Sequence, residues 1–391
     1  MPNQALSAIT GLGFSRLSRE PIGSPRSLAL SAMRAAVIDS GLGLSEIDGL
    51  LLNQSAQISG DAVPLKLRQD LGLGDIRLHA SIDSKGASVI QMLQMATLAI
   101  RHGMANAVLC VFSDTPVGSD SNSGASYVNA SALTGIEGWD QQYGLIGAVA
   151  NYAMAAQRYM SHYGSDERHL GAYAISCRNW ALHNPMAQQR EPLSFEQYLA
   201  SRFIVEPFRI LDCALPINGA AAFIVTDAVR ARTGVRPPVY IHGMGQCHGS
   251  TDQWAHDREE ITAGARSASA SLQMAGIAPA AVTCCQIYDP FSICAFVALE
   301  DFGLCKKGEA PDFVLDGQTG PGGTMPVSTG GGHLSGYYLQ GMTPIAEAII
   351  QARGDGGERQ VAANDVILVN GSGGLFEHHA TVVLSPRRSL A

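Results

Sequence analysis

Ala8-Ile9-Thr10-Gly11-Leu12-Gly13-Phe14 and Val239-Tyr240-Ile241-His242-Gly243-Met244-Gly245 are the two stretches on which the fold turns. Each reads as an apolar strand carrying a Gly-x-Gly, and each opens the same series of signals. After the first come Ser24-Pro25, a helix N-cap and first-turn pair. Apolar positions at Leu28, Ala32, Ala35 and Ala36 follow, then Gly41, which suits a helix C-terminus. Residues 47–52 then read as a strand. After the second stretch come a helix over 263–275, Gly276 and a strand-like run over 282–288.

The echo continues. A turn at Asp83-Ser84-Lys85-Gly86 opens a helix over 89–102, which leads into an apolar strand over 107–112. In the second half, residues 335–341 open a helix through Ala352, followed by a strand over 366–369. Short apolar strands alternating with helices predict parallel sheets covered on both faces. Two such units predict a pseudo-twofold α/β core whose functional turns meet at the strand C-termini. The expected division is a first half of 1–112 with 216–238, an inserted loop domain of 113–215, and a second half of 239–391. Within the insertion, 117–124 reads as a surface loop and 144–163 and 167–179 as helices. A core strand is expected over 219–226. A segment this long in a compact domain usually binds something, covers a site or forms an interface.

Composition narrows the function. Only 15% of the 391 residues are charged, and 43 glycines punctuate the apolar runs, which suits a buried α/β sheet. The formal net charge of −8 argues against a nucleic-acid binder, although a local basic mouth could still hold an anionic small ligand. The N-terminus has no charged segment followed by an apolar one, and no apolar run reaches spanning length, so a soluble, cytoplasmic protein with no membrane partner is expected. Eight cysteines without a CxxC pair predict neither a structural zinc site nor a disulfide framework. Gly11-Leu12-Gly13 and Gly371-Ser372-Gly373-Gly374 match neither a full dinucleotide fingerprint nor a P-loop, and read as tight turns or oxyanion-binding backbone.

The order of several motifs resembles the thiolase superfamily, in its sterol-carrier-protein-X and lipid-transfer-protein-like branch. The motifs are Ile9 to Gly13, Leu44 to Leu52, Asn184-Pro185-Met186-Ala187, Val205-Glu206-Pro207-Phe208-Arg209-Ile210-Leu211-Asp212-Cys213, Asn218 to Ala222 and the C-terminal glycine-rich elements. The resemblance spans nearly the whole chain and implies a five-layer α-β-α-β-α fold. It also shows what is missing. The nucleophilic cysteine of thiolases falls at Asp83, which reads either as a helix cap or as a poor replacement for a thiolate. The second cysteine of the family, in its C-terminal glycine loop, is absent from Asn370 to Gly374. The family's loop histidine falls at Tyr338, with Tyr337 in place of a glycine. The polar first residue of its His-Asp-Cys-Phe or Asn-Glu-Ala-Phe loop has become Tyr288 in Tyr288-Asp289-Pro290-Phe291.

Tyr288 and Tyr338 are therefore the candidate catalytic pair, unless both are merely core tyrosines with satisfied hydroxyls. His333, Asp83, Gly332 and Gly373 are the candidate substrate-binding residues, and no metal ligands are expected. The pattern resembles the thiolase-like aldolases that cleave steroid side chains as coenzyme A thioesters. It implies a carbon–carbon lyase carrying out retro-aldol cleavage of a β-hydroxyacyl-CoA to a ketone and a shorter acyl-CoA. No cofactor is expected beyond the coenzyme A of the substrate. The resemblance further implies a homodimer and a small OB-fold/zinc-ribbon partner. A thiolase-like acyltransferase and a non-catalytic acyl-CoA-binding subunit are the competing readings.

Overall fold

The computed structural model describes residues 4–55, 58, 60, 63–118, 138–139, 142–145, 147–233, 235–249 and 263–390. Most of the loop expected over 117–124 lies outside the described residues. The first half contains β1 (Ser7–Phe14), α1 (Pro25–Ser40), β2 (Gly49–Asn53), α2 (Val63–Leu71), β3 (Leu78–Ile82), α3 (Ser88–Arg101) and β4 (Ala107–Asp114). Then come α4 (Gly147–Tyr163), α5 (Glu167–Ala181), α6 (Phe195–Ala200), the short β5 (Phe203–Val205) and β6 (Phe208–Arg209), and β7 (Gly219–Thr226). The second half contains β8 (Val239–His248), α7 (Ala263–Ala275), β9 (Cys284–Gln286), α8 (Ile293–Asp301), α9 (Ala310–Leu315), α10 (Met342–Arg353), β10 (Ile367–Gly373) and β11 (His378–Ser385).

Among the described residues, nine strands form one hydrogen-bonded order, β3-β2-β4-β7-β1-β8-β11-β10-β9. The junction is β1 with β8, antiparallel through Ser7 and Ile241, Ala8 and Tyr240, and Ile9 and Val239. Reading outward from it, the two halves repeat. β1–β7 and β8–β11 are antiparallel, β7–β4 and β11–β10 are antiparallel, and β4–β2 and β10–β9 are parallel. Among the described strands, only β3, parallel to β2, has no counterpart. The expectation of parallel sheets is thus corrected to a mixed order. Parallel pairs occur where a helical crossover returns the chain, as in β2-α2-β3. β10 and β11 instead form a hairpin, and β7 re-enters beside β4 after the insertion.

The period-two alternation of the strands sorts their side chains into layers. Val108, Cys110 and Phe112 of β4 and Ile367 and Val369 of β10 face a central cluster that also holds Val89, Ile90 and Leu93 of α3 and Ile345, Ala348 and Ile349 of α10. Leu109 and Val111 face α1 and α2, while Leu368 and Val383 face α7 and α8. Helices α3 and α10 touch strands of both halves and form the middle layer. Removing a large buried ring such as Phe112 from a core this filled costs roughly 3–5 kcal/mol.

The Gly-x-Gly pairs explain why both halves need the same sequence signal. A Cβ on Gly11 would lie 2.4 Å from the Ala36 carbonyl oxygen of α1, and one on Gly13 would lie 2.2 Å from the Ala36 nitrogen. A Cβ on Gly243 would lie 1.9 Å from the Ser271 carbonyl oxygen of α7, and one on Gly245 would lie 2.0 Å from that of Ser267. In each half the helix backbone rests directly on the strand. Helix α1 starts where its signals place it: Ser24 accepts a hydrogen bond from the Ser27 N–H, Pro25 occupies the first turn, and Gly41 ends it at φ 69°.

Three local expectations change. The strand expected over 282–288 is confined to β9, which leaves Tyr288 in the following loop. Residues 335–341 do not begin a helix: 332–336 form a single wide turn, Tyr337 is extended, Gln340 is left-handed at φ 47°, and α10 starts only at Met342. Ahead of α3, Lys85–Ala87 form a 3₁₀ turn in which Lys85 is left-handed at φ 53°. Helices α4 and α5 pack Tyr152, Tyr159, Tyr173 and Cys177 into the outer cluster of the second half, beside Phe291 and Phe296.

Candidate active site

Tyr288 stands at the C-terminal end of β9, its N–H donating to the Asn370 side-chain oxygen on β10 at 2.9 Å. Tyr338 lies in the loop before α10, where its backbone bridges to Pro216. The two phenol oxygens are 2.8 Å apart. Residues 50 positions apart in sequence are thereby brought to hydrogen-bonding distance. Tyr288 is buried and Tyr338 half-buried.

The turn that opens α3 supplies the opposing wall, but through an unexpected residue. A Cβ on Gly86 would lie 2.2 Å from Cζ of Tyr288 and 2.3 Å from the Ser372 carbonyl oxygen. Only a bare backbone lets the phenol ring and β10 close on this turn. Asp83, the expected contact, instead turns outward. Its carboxylate accepts from the Lys85 N–H at 3.3 Å and pairs with Lys85 Nζ at 3.2 Å. Gly373 packs on the same turn, where a Cβ would lie 2.2 Å from the Ser84 carbonyl oxygen. Gly86 carries the signal that could have marked it, a glycine between a tight turn and a buried helix.

His333 lies behind the two phenols and is fully buried. Its ring meets both edge-on, with centroids 4.9 Å from Tyr288 and 5.1 Å from Tyr338. Both ring nitrogens face protein partners: Nδ1 faces Asp289 Oδ1 at 2.5 Å, and Nε2 faces the Gln340 carbonyl oxygen at 2.9 Å. Gly332 is also buried, and a Cβ there would lie 2.1 Å from Asp289 Oδ2. The structure therefore gathers Tyr288, Tyr338, His333 and Gly332 into one constellation, with Asp83 on its solvent side. Asp289, Tyr173 and Gln340 belong to it and were not expected. Asp289 directly follows Tyr288 in sequence, a hint available before folding.

Burial pushes the Tyr288 phenol well above its ordinary range, and the Tyr338 oxygen beside it adds to the rise. Burial also pushes Tyr338 up, to about 12, with the Tyr288 hydrogen bond holding it back and the Asp114 charge raising it further. The two phenols are unequal in exposure, and Tyr338 is the more accessible. Cys294, in the first turn of α8, is the thiol whose charge would couple to Tyr288, but burial pushes its pKa up strongly. A thiol so placed is a poor nucleophile. The cavity beneath these loops, lined by Gln286, Ile287, Tyr337 and Glu347 among others, holds about 10 Å³, room for one water and not for a thioester. Among the described residues, no three His, Cys, Asp or Glu side chains gather as metal ligands, and no helix is long and apolar enough to cross a membrane.

This fold and site define a thiolase-type α/β enzyme without the thiolase thiol, and comparison with known proteins agrees. Residues 244–386 match the family model described as thiolase C-terminal domain-like. The steroid side-chain-cleaving aldolase of Thermomonospora curvata is 30% identical over 94% of this chain and 95% of its own length. The 17-hydroxy-3-oxo-4-pregnene-20-carboxyl-CoA lyase of Mycobacterium tuberculosis is 31% identical over 94% and 96%. A solved structure described as the Ltp2-ChsH2(DUF35) aldolase superposes with a TM-score of 0.88 at 29% identity, covering 98% of each chain. The chain belongs to the thiolase superfamily, in its branch of thiolase-like aldolases.

Proposed function

We propose that this aldolase cleaves a β-hydroxyacyl-CoA whose β-carbon is fully substituted, such as a steroid side-chain thioester, and that Tyr338 is its base. The observation that carries this reading is the 2.8 Å contact between two unequal phenols, at a site where no exposed thiol stands. Tyr288, the more deeply buried, donates its O–H to the Tyr338 oxygen. Tyr338 takes the proton of the substrate β-hydroxyl as the Cα–Cβ bond breaks. The carbinol carbon leaves as a ketone, and the bonding pair passes into the thioester enolate. That enolate takes a proton at Cα from the phenol pair, so no proton is gained or lost over the cycle. With Tyr338 raised to about 12, the base is the small phenolate fraction of that group, which becomes a phenol as the Cα–Cβ bond breaks and returns to phenolate when the enolate is protonated. Backbone N–H groups of the glycine-rich loops supply the enolate oxygen with donors, usually the largest electrostatic contribution at such a site. The reaction needs no cofactor beyond the coenzyme A of the substrate.

A homodimer belongs to the same reading. Among the described residues strand β3 is an edge strand, and the neighbouring α3 exposes Met95 and Leu98, 39% and 51% accessible. An open edge beside apolar surface suits pairing with a second copy. The likeness to the Ltp2-ChsH2(DUF35) aldolase supports a small OB-fold/zinc-ribbon partner. All eight cysteines are free, which fits a reducing, cytoplasmic setting.

The test is turnover of a tertiary β-hydroxyacyl-CoA with no added free coenzyme A, following ketone and shorter acyl-CoA. Both products should form in equal amounts. A strict requirement for coenzyme A as acyl acceptor, or a trapped acyl-cysteine, would give the site to acyl transfer. Tight thioester binding without cleavage, with or without the partner, would leave only a binding subunit.

A further inference from the structure

Both ring nitrogens and the backbone N–H of His333 are spent on the two loops that carry the tyrosines. Its Nε2 faces the Gln340 carbonyl oxygen at 2.9 Å, and a carbonyl cannot donate, so Nε2 carries a hydrogen and donates it. Its Nδ1 lies 2.5 Å from Asp289 Oδ1 and accepts the Asp289 backbone N–H at 3.1 Å. The His333 backbone N–H donates to the same carboxylate oxygen at 2.9 Å, and the Tyr173 hydroxyl donates to Oδ2 at 2.7 Å. Asp289 follows Tyr288, and Gln340 lies two residues beyond Tyr338. One imidazole therefore ties the Tyr288 loop to the Tyr338 loop. The backbone is shaped for this connection. Gln340 is held at φ 47°, uncommon for a side-chain-bearing residue, and Gly332 at φ 56° leaves the space that the Asp289 carboxylate fills.

We propose that Asp289 and His333 form a positioning clamp that holds the phenol oxygens of Tyr288 and Tyr338 at bonding distance. The clamp rests on the reading of those tyrosines as the proton-transfer pair. Neither clamp residue touches substrate; each acts by fixing a tyrosine-bearing loop. A displacement of about 1 Å at a reacting group can cost on the order of 10²-fold in rate, so a clamp of this kind should show in turnover rather than in binding.

The experiment is a double-mutant cycle with kcat and KM read separately. His333→Gln should lower kcat on the order of 10²-fold with KM within about threefold. On a Tyr338→Phe background the same change should alter kcat by less than about threefold, because no pair is left to align. Tyr173→Phe keeps its ring and removes only one donor to Asp289. It should give the same pattern at about tenfold, and it decides the matter if His333→Gln does not fold. Equal losses on both backgrounds, a loss confined to KM, or no loss would overturn the clamp. If Tyr338→Phe were itself as active as the parent, the reading of the tyrosines would fail instead.

Discussion

The two halves of the sheet are built alike and finish differently. From the β1–β8 junction outward, each runs through two antiparallel pairs and one parallel pair, to which the first half adds the parallel β3, and each seats a helix backbone on a Gly-x-Gly strand. At the site the likeness ends. The first half contributes the turn at Ser84 to Gly86, whose closest approach is a glycine without a side chain. The second half contributes both phenols and, in Asp289 and His333, the groups behind them. Duplication supplies two sets of strand ends, and chemistry needs only one set to bear reactive groups while the other gives them a wall. In a thiolase the first-half turn carries the nucleophile. Here that turn is bare at the point of contact, and on the proposed reading the reactive groups lie in the second half.

The sharpest way to break this contrast is to remove the second half's hydroxyls. Tyr338→Phe and Tyr288→Phe keep both rings, so the packing against Gly86 and His333 survives. General acid–base groups typically contribute about 10²- to 10⁴-fold, and kcat should fall by that much in each variant while thermal unfolding stays close to the parent's. The parent should also show kcat/KM rising with pH through the neutral and alkaline range. The ionised fraction of Tyr338 grows as pH climbs toward its value of about 12, and a base acts in that form. Tyr338→Phe should flatten the profile. Two variants within a few-fold of the parent would return both tyrosines to the core.

Filling the bare wall should have the next largest effect. In Gly86→Ala, the new Cβ would lie within 2.4 Å of the Tyr288 Cζ and Cε2 atoms and within 2.3 Å of a β10 carbonyl oxygen. The ring can yield where the backbone cannot, so Tyr288 should swing away from Tyr338. An activity loss on the order of 10- to 10²-fold is expected, with a stability cost of about 1–3 kcal/mol from overpacking. Ser84→Ala, in the same turn, serves as the control. Undiminished activity in Gly86→Ala would show that the first half does not shape the pair.

The duplicated plan was legible because it is written locally. Period-two strands, the Ser24-Pro25 start, the Gly41 stop and the paired Gly-x-Gly signals all act within a few residues. Helix α7 and strand β7 occupy the expected spans, 263–275 and 219–226. Strand direction was less legible, since the antiparallel place of β7 depends on where the chain returns after some hundred residues. The resemblance brought Tyr288 and Tyr338 together on one list; only the folded chain shows them touching. Gly86 replaced Asp83 as the contact because Asp83 precedes the Lys85–Ala87 turn and pairs outward with Lys85, while Gly86 lies within the turn against the Tyr288 ring. Asp289, Tyr173 and Gln340 became visible only in three dimensions, since Tyr173 reaches Asp289 across 116 positions.

The smallest expected effect tests the likeness of the halves rather than their difference. Gly11→Ala and Gly243→Ala each place a methyl group against helix backbone, 2.4 Å and 1.9 Å from a carbonyl oxygen. Carbonyl groups bonded within α1 and α7 cannot swing aside as a ring can, so each helix has to lift from its strand. Overpacking of this sort costs about 1–3 kcal/mol. The closer approach at Gly243 should put that variant at the upper end and Gly11→Ala below it. Denaturant unfolding of both variants, with kcat measured alongside, gives the comparison. If the halves are structural equivalents, both variants lose stability and neither loses kcat beyond a few-fold, because α1 and α7 lie on the outer faces, away from the phenols. A large activity loss in Gly243→Ala alone would mean that the seat of α7 is coupled to the tyrosine loops, and that the second half is specialised down to its scaffold.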